Sequence, residues 1–143
     1  MSKGIRVEIE GMDELIKAAK ELGEEMLDEL ENGAESAAQE IAKEANSRAP
    51  MGPQRRLRGS FITKRLPRRQ GLPAAVMVGN DYNRAPHAHL VEFGTGPRYH
   101  AGTGKYVGQM PANPFFRDSV ESKRRDVKRT FQTHARNVID RRR

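Results

Sequence analysis

The stretch from His87 to Phe116 constrains this chain most, because an apolar run stops at a glycine and is answered, after a loop, by a proline-anchored helix start. In the first half Leu90, Val91 and Phe93 supply apolar surface, and Gly94 can take the positive φ that closes a short helix or strand. In the second half Asn113 is a good N-cap. Pro114 suits the first helical position, where its missing N–H is not needed. Phe115 and Phe116 then open a helix by burying rings.

The rest of the chain fills in around that pair. Ile5 to Glu10 alternates apolar and charged side chains, the pattern of a short half-buried strand over 5–10. Gly11 ends it, and Asp13 and Glu14 place negative charge at a helix start. A helical segment over 13–49 follows, with Leu15, Ala19, Leu22, Met26 and Leu30 on one face and acids and lysines on the other. Asn32-Gly33 predicts a kink or break, since glycine inside a helix costs about 1 kcal/mol. Beyond it Ala37, Ala38, Ile41, Ala42 and Ala45 form a face of small residues that another element can approach closely. Pro50 ends the helix.

Residues 58–79 read as a hairpin, one strand through Phe61-Ile62-Thr63 and one through Ala74 to Gly79, joined by the basic Arg65 to Gln70. The Leu90 segment is a further candidate strand for the same sheet. Residues 94–112 hold a glycine-rich run without helical period, expected to be a mobile loop or an extended hairpin arm. The last helix covers 114–140, with Phe116, Val120, Val127, Phe131, Ala135 and Val138 on a narrow stripe. The sum is an α+β fold in one domain over 1–143: a small antiparallel sheet packed against a long N-terminal helical segment and a C-terminal helix, with a long Gly-rich loop.

Only 36% of residues are hydrophobic and 6% aromatic, against 31% charged, so a modest core and a thin fold completed by neighbours are expected. There is no cysteine, which excludes disulfides and thiolate metal sites. No membrane span or signal peptide is read, and the expected compartment is the cytoplasm. The net charge of +7 is unevenly spread: residues 1–50 hold six Lys/Arg and 13 Asp/Glu, and 51–143 hold 20 and six. Such asymmetry suits nucleic-acid contact by the basic part, or head-to-tail association of unlike faces.

Catalytic patterns are not completed. His87, His89, Glu92 and His100 match no recognised metal spacing and read as surface or interface residues; His134 stands alone. No nucleophile elbow or phosphate loop occurs. No cofactor, metal or catalytic residue is assigned. The basic clusters, with Arg65, Arg68, Arg69, Arg124 and Arg125 as candidate DNA-facing residues, read equally as a solvated or subunit-facing surface and as contact with the DNA backbone, which would be independent of sequence because no readout motif or stacking platform accompanies them.

Several segments together resemble the small tail-completion, or neck, proteins of long-tailed bacteriophages. They are Val7-Glu8-Ile9-Glu10-Gly11, Ala49-Pro50 with Leu57-Arg58-Gly59-Ser60, His89-Leu90-Val91-Glu92-Phe93-Gly94-Thr95, and Met110-Pro111-Ala112-Asn113-Pro114-Phe115-Phe116-Arg117. Here Met51-Gly52-Pro53-Gln54-Arg55 replaces the usual turn before the Leu-Arg pair, and the loop after Thr95 is longer. The resemblance implies a non-enzymatic virion protein, assembled in the host cytoplasm, that completes the tail and joins it to the DNA-filled head. It implies a homo-oligomeric ring, hexameric like the tail tube. The implied partners are the tail tube or tail terminator protein and head-completion or connector proteins, with non-specific contact to packaged DNA and no membrane. Candidate interface residues are His89, Glu92, Phe93, Gly94, Thr95, Arg98, Tyr99, Tyr106, Pro111, Phe115, Phe116 and Arg117. The alternative is a DNA-binding accessory protein using the basic C-terminal half.

Overall fold

The computed structural model describes residues 17, 21, 23–52, 56–68 and 75–141. The strand expected over 5–10, the helix start at Asp13, and Arg55 and Arg69 lie outside them. Helix α1 (Glu24–Arg48) begins after Gly23, whose φ of 90° breaks any helical run at that point, and Glu24 and Glu25 sit where the helix dipole favours acids. Its buried stripe runs from Met26, Leu27 and Leu30 through Ala37, Ile41 and Ala45.

No break forms at Asn32-Gly33, contrary to the sequence expectation. Gly33 is buried, and a Cβ there would lie 3.4 Å from the His134 ring of the last helix. The glycine allows two helices to approach, and their packing offsets its poor helix propensity. The helix ends where Ala49 turns extended (ψ 133°) ahead of Pro50.

Strands β1 (Phe61–Arg65) and β2 (Val76–Asn80) pair antiparallel, from Phe61 opposite Asn80 to Arg65 opposite Val76. Phe61 and Val78 face α1, while Ile62 and Met77 face solvent. The Leu90 segment is not a third strand; it is the short helix α2 (Ala88–Phe93). A strand would have sent adjacent residues to opposite faces, whereas one helical turn puts Ala88, Val91 and Glu92 on the inner side together.

Two short strands, β3 (Arg98–Tyr99) and β4 (Tyr106–Gly108), form a second antiparallel pair. Helix α3 (Phe115–Arg141) then runs antiparallel along α1, burying Phe116, Val120, Val127, Phe131, Ala135 and Val138 against it. Where α3 starts, Phe61 stacks on Phe116 (5.1 Å between ring centroids, 15°) and meets Phe115 edge-on (5.4 Å, 85°). This ring cluster fastens sheet to helix and brings α2 to the head of α3.

Candidate functional site

Both halves of the constraining stretch converge on the N-terminus of α3. The Glu92 carboxylate, 7% exposed, accepts hydrogen bonds from the backbone N–H of Phe116 (2.9 Å) and of Arg117 (3.0 Å). It caps two amides that lack a partner within the helix, and its charge faces the positive end of the dipole. The sequence pointed to Asn113 for this cap. Asn113 instead acts through its backbone: its N–H donates to Val91 O (2.9 Å) and its carbonyl accepts from Phe115 N (2.8 Å). Pro114 does open the first turn, with Asp118 N bonded to its carbonyl (2.9 Å).

Gly94 follows at φ 74°, and a Cβ there would stand 2.7 Å from Ala112 N and 2.9 Å from Met110 O. Only glycine fits on both counts. Thr95 then closes the base, its N–H donating to Met110 O (2.8 Å) and its Oγ1 accepting from Met110 N (3.0 Å). Residues 96–109 therefore leave and re-enter through one latched neck.

Beyond the latch the chain forms the hairpin arm that was one of the two expected forms. His100 N donates to Lys105 O (2.7 Å) and Gly104 N to His100 O (2.8 Å), while His100 Nδ1 accepts from Gly102 N (3.2 Å). The Tyr99 and Tyr106 rings meet edge-on at 5.7 Å. Among the described residues the arm has no substantial contact with another helix or strand. Tyr99, Tyr106 and Val107 are consequently 63%, 54% and 53% exposed, three large side chains held on one hairpin. Phe93, at the arm's foot, is 60% exposed. It lines a cavity of about 450 Å³ together with Ala112, Pro114 and Val120 and with the charged Glu92, Arg117, Glu121 and Arg124.

The predicted interface set thus divides. Phe93, Arg98, Tyr99, Tyr106, Pro111, Arg117 and His89 are at the surface; Gly94 and Thr95 form the latch. Glu92, Phe115 and Phe116 are buried and structural. No group of three or more His, Asp or Glu among the described residues is placed to hold a metal. His134 pairs with Glu29 across the α1–α3 seam (2.6 Å).

The candidate DNA-facing residues divide too. Arg68 reaches three carboxylates of α1, Glu31 (2.6 Å), Glu24 (2.8 Å) and Asp28, and the bond to Glu31 leads in raising its pKa above the ordinary guanidinium value. Arg65 is bound by Glu35 and lies 3.9 Å from Glu31. These two arginines pair with four carboxylates of the acidic helix in their own subunit. Arg124 is paired with Glu121 one turn away (2.8 Å), and Arg125 is exposed with no ion pair among the described residues.

Sequence reasoning missed the residues that seat the hairpin. Asn46 Oδ1 accepts from Gly59 N (3.0 Å) and Phe61 N (2.9 Å), and its Nδ2 donates to Phe61 O (3.2 Å). Fully buried Ser60 bonds Leu57 O, and Arg58 Nε donates to the Ala49 carbonyl at the end of α1 (3.2 Å). An Asn in the last turns of a helix is a weak sequence signal. The Leu-Arg-Gly-Ser motif was visible, but its partners were not.

The family model described as "Bacteriophage HK97-gp10, putative tail-component" matches residues 13–94, more than half of the chain, and the chain belongs to that family. It is a phage tail-related component. No curated protein and no solved structure matches it. The match spans α1, the β1–β2 hairpin and α2, and ends at Gly94, so the arm and α3 lie beyond it. No helix among the described residues is long and apolar enough to cross a membrane.

Proposed function

We propose that this chain is a non-enzymatic structural protein of the virion neck, a subunit of a ring, sixfold like the tail tube, that completes the tail and joins it to the head. The observation carrying this reading is the arm: latched at its base, self-bonded, aromatic at its surface, and, among the described residues, without substantial contact with another helix or strand. A surface so prepared is built for a protein partner. The partners are further copies of the chain, the tail tube or tail terminator protein on one side, and head-completion or connector proteins on the other. The subunits gather in the host cytoplasm and end in the virion.

The head-to-tail contact cannot use the acidic α1 against the basic α3 of a neighbour at the places where these helices already meet within one subunit. Glu25 and Glu29 face Arg141 (3.7 and 3.8 Å) and Glu29 faces His134, all on the same chain. The arm supplies the unlike surface instead. Separately, Arg117, Arg125, Lys128, Arg129 and Arg136 are exposed along the outside of α3, which supports non-specific contact with the DNA backbone and is what a DNA-binding accessory protein would use.

Electron microscopy of lysates from a phage lacking this chain tests the neck reading. Filled heads and separate tails are expected to accumulate unjoined. Normal joined particles would contradict it.

A further inference from the structure

Resting on the ring reading, we infer that the arm of one subunit seats its Tyr99–Tyr106 pair in the Phe93–Val120 cavity of the next copy of the chain. Arm and cavity are unlike surfaces side by side on one subunit, joined through Gly94. No residue of 96–109 lines the cavity, so the subunit does not fill its own site. An arm seated in the next copy's site makes a heterologous contact, which propagates from copy to copy and gives the ring of the proposed function where the rotation per copy closes.

The chemistry of the two surfaces agrees. The cavity of about 450 Å³ is of a size that takes small aromatic groups, and half of its lining, Phe93, Ala112, Pro114 and Val120, is apolar. Phe93 stands 60% exposed at its wall, ready for the edge-to-face contact aromatic rings prefer. Arg117, exposed in the lining, offers a planar guanidinium that stacks on a tyrosine face. The arm brings Lys105 beside its rings, and Glu121 of the lining, 56% exposed and paired with Arg124 through Oε1, keeps Oε2 for a second cation. Tyrosine and arginine are also the residues that dominate protein interfaces once water is excluded. A second copy is therefore the occupant the site fits.

The chain has no cysteine, so Tyr99→Cys and Glu121→Cys each carry a single thiol. The two variants are mixed, assembled alone or on tails, and treated with a short bis-maleimide, while light scattering follows the mass of the untreated wild type. The expected result is a linked dimer from the mixture and none from either variant by itself. The Tyr99→Ala/Tyr106→Ala double variant is expected to keep its helical circular dichroism, since both rings are exposed, and to fall from ring mass to the 16.1 kDa monomer. Rings that form without the link, or that survive the double substitution, overturn the arm-in-cavity contact and leave the ring reading standing. A wild type that stays monomeric both in solution and on tails overturns the ring and this contact together.

Discussion

The α1–hairpin side and the arm side of this molecule treat their most conspicuous residues in opposite ways. On the α1 side a dense row of carboxylates, Glu24, Asp28, Glu31 and Glu35, meets Arg65 and Arg68 from the chain's own hairpin. On the arm side Tyr99, Tyr106, Val107 and Phe93 stand more than half exposed, and among the described residues the arm strands pack substantially only on each other, although the backbone at their base is latched at Gly94 and Thr95. Charge that looks available in the sequence is used internally. Apolar surface that a monomer would hide is held out on a rigid base.

Four substitutions break or sharpen that contrast. Phe61→Ala strikes the ring cluster on which both sides depend, and should cost about 3–5 kcal/mol in urea unfolding. Gly94→Val combines a left-handed backbone with a Cβ 2.7 Å from Ala112 N, and should cost about 2–4 kcal/mol by the same measurement. Glu92→Ala removes a buried double cap and leaves two amides unpaired, an expected loss of about 2 kcal/mol, with Glu92→Gln milder because one oxygen remains. Arg68→Ala should be the gentlest of the four, because its pairs with Glu24 and Asp28 are exposed and fade as salt is raised, while buried Glu31 keeps Arg65 at 3.9 Å as a remaining cation. If Arg68→Ala proved costlier than Gly94→Val, the acidic side and not the latch would be the rigid part of the fold.

The elements with a strong period were legible in the sequence. Met26, Leu30, Ala37, Ile41 and Ala45 mark α1, and Phe116, Val120, Val127 and Phe131 mark α3, because burying one stripe of a helix imposes that spacing. The break at Asn32-Gly33 was misjudged because the contact that overrides propensity there comes from His134, about a hundred residues away in the chain. Glu92 was visible as part of a motif, but its role as a cap depends on α2 folding back onto α3. The same holds for Arg65 and Arg68, read as DNA-facing because a basic run shows its charge and not its partners. For the arm, glycine content pointed to a loop or a hairpin, and the latch at Thr95 and Met110 decided between them.

The solution mass of the wild-type chain, measured by light scattering alone and again after incubation with tails, tests the central claim most directly. A mass several times 16.1 kDa, or a stoichiometric ring recovered on the tails, is the predicted result. A chain that remains at 16.1 kDa in both conditions and leaves the tails bare would contradict it.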